Sequence, residues 1–599
     1  MVKLSGLTTG LAAAGALSAA AGILSGVTAL PSGVGSSTTS FGMDQLLTSR
    51  SDASNNATDF LSTLSAGQRH VFTTSLNMLD SNFQPPYIFG SSRYTAYYAV
   101  SLLARNAPGD AALAKQLIHN AISAQWKNSS DIWYGAFLDP NQPPPGKLNA
   151  PKIYGSYDAN SNLFVATAFM LAIEDFGHLM DQETKTAVIE SGYRAVVGDT
   201  YRVFGIDGDN LTPAYSNPWL MRCMAMSYYG NLKNDHNMTS YAEQYAGEFY
   251  SLFDMYDTLS EFNSATYTGV SLWALSLGGY LPSNTTMAKR AGDTISKIWT
   301  KTAELWQPQL NSLGGSWDRT YGFGLSDYVS LLGFYAAGLN GGDAKSWPVP
   351  WKLSGSPHVS DAAFAPLMAI TSKYHDKYVS QQSRDMLQPC AAGNKPGRLV
   401  KSHAWSPPFD ADVKQYGPRN YTAWIADNVT VGGTEIDEAV IGGPAKNPTA
   451  FTPAVMMWST PDTHSLNYAQ PKASWLSLYP TTQTLSATAS SSNLTIRFPT
   501  SKAFPANYTA PTQMTLMFGT SPLTVLPDDF LVASNQTNGK LPGMELMLSG
   551  NVASGVVKRS LTYDSSKNIN GFYYYNLTFA LGGLPQNTEP ELVVSYKLA

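Results

Sequence analysis

The chain has 599 residues, 43% of them hydrophobic and 12% aromatic but only 14% charged, which is too long for one ordinary domain. A formal net charge of -5 excludes binding to nucleic acid through a basic footprint and disfavours anionic partners. Two cysteines, Cys223 and Cys390, are too few for a disulfide scaffold or a metal cluster. In an oxidising compartment they can pair with each other, and otherwise both stay as buried thiols.

The N-terminus carries Lys3, then an apolar stretch rich in Ala, Gly and Leu, then the small triplet Ala19-Ala20-Ala21. This reads as a signal peptide over residues 1–21 and a secreted, extracellular protein. Gly, Ser and Thr dilute the stretch too far for a membrane anchor, and no other segment is long enough to span a bilayer, so stable membrane insertion is not expected. Residues 22–64 read as a loose arm rich in Ser, Thr and Gly. Asn-x-Ser/Thr acceptors at Asn56, Asn128, Asn210, Asn237, Asn284, Asn420, Asn428, Asn493, Asn507, Asn535 and Asn576 run the length of the chain, as in a glycosylated eukaryotic secreted protein.

From 65 to 388 apolar residues recur at i, i+3, i+4 and i+7, the helical period. Two kinds of helix alternate. "MAKRAGDTISKIWTKTAELW" is amphipathic, whereas "ATYTGVSLWALSLGGYL" is apolar almost all round and so must be covered on most sides. That alternation predicts an inner helical ring wrapped by an outer one, and no fixed repeat length supports a solenoid. Residues 389–410 read as a linker. From 411 to 599, short β-branched and aromatic runs such as "NLTIRFPT", "QMTLMFGT" and "ELVVSYKLA" alternate with Pro, Gly, Ser and Asn, which predicts a separate antiparallel β-sandwich.

Four polar, aromatic loops lead into inner helices. "YDTLSEFNSATYTG" (256–269) places Asp257, Glu261 and Asn263 before a helix starting near Ala265. Asn263 or Ser264 suits the cap. Glu261 then sits outside a helix N-terminus that favours its ionised form, as a base requires or as any helix-start acid does. A continuous helix would put Asp257 and Glu261 on one face. "GGSWDRTYGFGLSDY" (314–328) gathers Trp317, Asp318, Arg319 and Tyr321, although Asp318 and Arg319 also read as a plain ion pair. "YGSYDANSNLF" (154–164) offers Tyr154, Tyr157 and Asp158, rings and an acid suited to a sugar, or a turn that starts a helix. "GIDGDNLTPAYSNPWLMR" (205–222) adds Asp207, Asp209, Tyr215, Asn217 and Trp219. Its "DGDN" lacks the closing Glu of a calcium loop, so no metal is expected. No phosphate loop, dinucleotide fingerprint, nucleophile elbow or HExxH pair occurs, and no cofactor is expected. None of the eight histidines falls in these loops.

The helical pattern, with the loops "SEFNSATYTG" and "GGSWDRTYG", resembles the six-hairpin, or (α/α)6-toroid, superfamily of secreted carbohydrate-active proteins, and is similar to uncharacterised secreted fungal members. The resemblance implies an (α/α)6 helical toroid followed by an antiparallel β-sandwich, acting on an oligo- or polysaccharide held in the toroid funnel. Glycoside hydrolysis needs two carboxyl groups flanking the scissile bond. These would be Glu261 as base and Asp318 as acid, with Asp158 and Asp257 in reserve and Tyr154, Tyr157, Trp219, Asn263, Tyr267, Trp317, Arg319 and Tyr321 lining the substrate. The chief rival is a polysaccharide lyase, with Tyr267 or Tyr321 as acid/base and Asn263 and Arg319 neutralising a uronate carboxylate. A dehydratase, isomerase or cyclase of a small hydrophobic substrate, and a non-catalytic glycan-binding protein, remain as further readings.

Overall fold

The computed structural model describes residues 59–131, 133–140, 158–202, 211–310, 312–320, 330–340, 359–388, 397–405, 419–437, 451–460, 473–479, 484–499, 511–520, 526, 538–553, 556–564, 572–585 and 587–599. Among these, thirteen α-helices come first: α1 (Asp59–Thr63), α2 (Ala66–Asn82), α3 (Ser92–Arg105), α4 (Asp110–Ser123), α5 (Ser161–Glu174), α6 (Gln182–Asp199), α7 (Ser216–Lys233), α8 (His236–Phe253), α9 (Ala265–Ser276), α10 (Thr286–Leu305), α11 (Leu331–Asn340), α12 (Ala365–His375) and α13 (Gln381–Leu387). Consecutive helices from α3 to α10 pack as four hairpins. Helices α3, α5, α7 and α9 touch in that order, α9 meets α11 and α12, and α12 meets α2 and α3, which closes the ring.

The two helix kinds occupy the two layers. Every residue of α9 is buried, as is α5 from Ser161 to Ala172, because a helix without a charged face has nowhere to sit but the inner ring. Helix α10 buries Met287, Ala291, Ile295, Ile298 and Trp299 along one stripe and turns its lysines outward. The outer helices α6, α8 and α10 are capped by their own Asp181, Asp235 and Thr285, the usual answer to unpaired helix N–H groups. No local side chain caps the inner helices α3, α5, α7 and α9.

The strands that follow are β1 (Arg398–Ala404), β2 (Arg419–Ala426), β3 (Val429–Asp437), β4 (Ala454–Trp458), β5 (Ser474–Tyr479), β6 (Thr484–Ala489), β7 (Asn493–Arg497), β8 (Gln513–Gly519), β9 (Asn538–Leu541), β10 (Met544–Ser549), β11 (Val556–Asp564), β12 (Phe572–Ala580) and β13 (Glu591–Leu598). They pair in the order β9-β10-β13-β7-β6-β3-β4-β5-β8-β12-β11, with β2 also on β3 and β1 on β2. The sheet folds over itself into a sandwich: Leu592 and Ile496 from one wing share a core with Leu516 and Phe579 from the other. Alternate residues serve a different core. In β4, Met456 and Trp458 point into the sandwich, while Val455 and Met457 join the helical core together with Tyr421, Ile425 and Trp475. The period of two along a strand thus makes the sheet the floor of the toroid as well as half of a sandwich.

Two boundaries differ from the sequence reading. Residues Asp59–Thr63 of the expected loose arm form α1, and Arg398–Ala404 of the expected linker form β1. The buried face of β1 is Val400, Ser402 and Ala404, with Leu399 exposed, so no hydrophobic alternation announces it. The signal-peptide segment lies outside the described residues, among which no helix is long and apolar enough to cross a membrane.

Candidate active site at the toroid mouth

The uncapped N-termini of the inner helices share one feature, in that a carboxylate attends each of them. Asp139 accepts from the Ser92 N–H of α3 at 2.8 Å. Asp158 accepts from the Asn160 N–H ahead of α5 at 2.9 Å. Glu261 faces the backbone N–H groups of Asn217 and Ser216 on α7, and Asp361 accepts from the Thr266 hydroxyl on α9 at 3.0 Å. Anions at helix N-termini complement the helix dipole, so acids stand at the starts of these inner helices, Asp158 from the turn just ahead of α5 and Asp139, Glu261 and Asp361 from more distant segments.

Glu261 is the buried carboxylate of the 258–264 segment that connects α8 to α9. Its Oε2 accepts from Asn217 Nδ2 at 3.0 Å. Its Oε1 is buried, has no hydrogen bond, and lies 3.6 Å from Arg319 Nη1, outside hydrogen-bond reach. Burial pushes the Glu261 carboxyl up to about 7 against the opposing pull of Arg319, Asn217 and the α7 backbone. Arg319 in turn donates from Nη2 to the Tyr267 hydroxyl at 3.2 Å, with its guanidinium carbon 4.5 Å from the Tyr267 ring centroid and 5.8 Å from that of Tyr215. Burial pushes both phenols up, more strongly than Arg319 pulls them down. Tyr215 Oη accepts from Asn160 Nδ2 at 3.1 Å, and Asp158 is bound by Arg93, whose guanidinium stacks 4.0 Å over Phe164. One polar chain therefore runs across the mouth from Glu261 through Arg319, Tyr215 and Asn160 to Asp158 and Arg93.

Several expected residues have other duties. Asp318 is turned away from this chain: Oδ1 accepts from Arg419 at 3.0 Å and Oδ2 from the Tyr421 hydroxyl at 2.7 Å, both on β2. Asp257 does not share a helix face with Glu261, since α8 ends at Phe253 and Asp257 sits in a turn at φ 55°, paired with Lys297 at 3.0 Å on the surface. Asn263 does not cap α9. At φ 52° it donates to the Gly314 and Ser316 carbonyls at 2.9 and 2.6 Å, and Ser264 holds the cap position without a side-chain bond. Trp219 is core, with its indole N–H on the Tyr245 carbonyl at 2.9 Å. Trp317 is 2% exposed, its indole N–H on the Leu313 carbonyl at 3.2 Å. Both rings are filler, because a buried indole needs only one acceptor to be satisfied. Tyr154, Tyr157, Tyr321, Asp207, Asp209 and Cys390 lie outside the described residues. Cys223 is a fully buried free thiol. Of the glycosylation acceptors, Asn128, Asn237 and Asn284 are exposed and Asn420, Asn428, Asn493 and Asn576 half-buried. Asn56, Asn210, Asn507 and Asn535 lie outside the described residues.

Arg93, Asp139, Asn160 and Asp361 are not among the residues that the sequence points to, and Tyr215 and Asn217 have no role assigned by their loop alone. Their shared signal is position at or near the start of an inner helix, or a loop acid that meets one.

The family model described as Domain of unknown function (DUF8769) matches residues 69–373. The chain belongs to that family. A second model, Domain of unknown function (DUF8770), matches residues 396–597, so the two matches divide the chain where the helices give way to strands. No curated protein matches. Among solved structures the chain is similar to one titled "Crystal Structure of Heparinase III", at 9% identity over 93% of this chain and 89% of that chain with a TM-score of 0.46. It is also similar to the heparan sulfate lyase HepC from Pedobacter heparinus, at 9% identity over 82% of this chain and 89% of that chain with a TM-score of 0.20.

Proposed function

We propose that the protein is a polysaccharide lyase that cleaves a uronate-containing glycan by β-elimination at the toroid mouth. The observation that carries this reading is the Arg319 guanidinium held between the Glu261 carboxyl at 3.6 Å and the Tyr267 hydroxyl at 3.2 Å. Elimination needs a cation beside the uronate carboxylate, which delocalises the charge that develops when the neighbouring C5 proton leaves. It also needs a base for that proton and an acid for the departing oxygen. Arg319 supplies the cation. Glu261, with its carboxyl near 7, is matched to take a proton at neutral pH. Tyr267, whose phenol burial keeps protonated, is matched to give one to the glycosidic oxygen as the C4–O bond breaks. Electrons from the C5–H bond become the C4–C5 double bond, and the two fragments leave as an unsaturated uronate and a new free hydroxyl.

Hydrolysis by Glu261 and Asp318 fits less well, because both Asp318 oxygens are already engaged by Arg419 and Tyr421. The test is incubation of the purified protein with a panel of uronate and neutral polysaccharides, following both ultraviolet absorbance of unsaturated ends and reducing ends. Absorbance that is lost in Tyr267→Phe supports elimination. Reducing ends without absorbance would overturn it.

A further inference from the structure

The segment that carries Arg319 is held by the β-sandwich. Trp317 forms an isolated antiparallel bridge with Thr452, its N–H on the Thr452 carbonyl at 3.2 Å and its carbonyl accepting from the Thr452 N–H at 3.0 Å. The Ser316 hydroxyl accepts from Thr434 on β3. Gly432, also on β3, lets the two backbones close up, for a Cβ there would stand 2.2 Å from the Ser316 nitrogen. Asp318 then places a carboxylate, itself 5% exposed, between Arg419 and Tyr421, while its own N–H bonds the Phe262 carbonyl at 3.2 Å. Phe262 follows Glu261 in the chain and packs on Tyr421 with ring centroids 4.6 Å apart. One strand of the sandwich thereby braces both partners of the Glu261–Arg319 contact.

We propose that the sandwich is a working part of the site: Arg419 and Tyr421 grip Asp318, and this clamp positions the Arg319 guanidinium between Glu261 and Tyr267. Asp318, Arg419 and Tyr421 are positioning residues, acting through the backbone they hold. A loop gripped on one residue aims the next with little freedom, and small misplacement of a catalytic group is expensive in rate. The kinetic part of the test rests on the elimination reading, and the labelling part does not.

The experiment uses the full chain in three forms: Tyr421→Phe, which keeps the ring against Phe262 and removes one hydrogen bond; Arg419→Met, which removes the cation; and Arg419→Lys, which restores a charge. Phenylglyoxal labelling of Arg319, read by peptide mass spectrometry with Arg93 as internal control, reports whether the guanidinium has left its niche. The expected result is labelling several-fold faster in Tyr421→Phe and Arg419→Met at an unchanged Arg93 rate, reversed in part by Arg419→Lys. Where unsaturated product forms, kcat/KM should fall about tenfold in the first two. Labelling equal to the unmodified protein in Tyr421→Phe and Arg419→Met would overturn the clamp, and so would faster labelling with kcat/KM unchanged. Absence of any unsaturated product from the unmodified protein would count against the lyase reading alone, with labelling still deciding the clamp.

Discussion

Two buried acid–arginine pairs lie on neighbouring residues of the same segment, and they are built differently. In the floor, Asp318 and Arg419 are each 4% exposed and meet at 3.0 Å, with Tyr421 completing the second oxygen. In the mouth, Glu261 and Arg319 are 5% and 14% exposed but stand 3.6 Å apart, and one Glu261 oxygen has no hydrogen bond. Burial penalises charge at both places. Burial pushes both carboxyls up, but the floor fills both Asp318 oxygens with partners, whereas the mouth leaves one Glu261 oxygen without a hydrogen bond. A satisfied buried pair holds a structure together, and an under-satisfied one is available for chemistry.

The largest effect should come from breaking the floor. Asp318→Ala strands the Arg419 cation in a dry site and should lower stability by about 3–5 kcal/mol, measured by denaturant unfolding. A loss below about 1 kcal/mol would put Asp318 back among the exchangeable acids of the mouth. Arg319→Met should do the converse. Glu261, already poised to bind a proton, neutralises itself, so stability should move by no more than about 1 kcal/mol. Formation of unsaturated product should fall by about 100-fold or more.

This contrast explains what could be read in the residues alone. The order of helices then strands and the two helix kinds follow from periodicity and local composition, and both describe the molecule. Which acid does what could not be read. Asp318 and Glu261 are alike in their loops, and only Arg419 and Tyr421, about a hundred residues further on, separate them. Likewise the sequence places Glu261 at the N-terminus of the helix that follows it, α9, which would favour the ionised carboxylate. It faces the N-terminus of α7 instead, in a pocket whose desolvation outweighs the helix. Contacts between distant segments set burial, and burial sets the charge state.

The pH dependence sharpens the mouth further. Glu261 is raised from its ordinary 4.5 to about 7 in the folded chain, so between those values the native state holds a proton that the unfolded chain has released. Its contribution to stability is complete below about 4.5 and is lost as pH rises through about 7, amounting to about 3 kcal/mol. Glu261→Gln should flatten that slope and gain stability over the unmodified protein at pH 8. A base must be ionised, so kcat/KM should rise over the range where stability falls, about tenfold per unit below about 7. Equal pH–stability slopes in Glu261→Gln and the unmodified protein would mean that Glu261 is not the group that carries the slope.

The smallest effect belongs to the carboxylate that sequence spacing linked most directly to Glu261. Asp257 meets Lys297 with side chains 47% and 36% exposed, and a pair in that much water contributes at most a few tenths of a kcal/mol. Lys297 also keeps Asp293 at 3.1 Å as a second partner. The φ of 55° at Asp257 is a conformation that Asn accepts as readily as Asp, so Asp257→Asn changes the charge without straining the turn. Thermal unfolding and elimination rate should both stay within about 0.5 kcal/mol of the unmodified protein. A tenfold loss of rate in this variant would show that a carboxylate outside the buried mouth takes part in the reaction, and the distinction between satisfied and under-satisfied pairs would then no longer locate the chemistry.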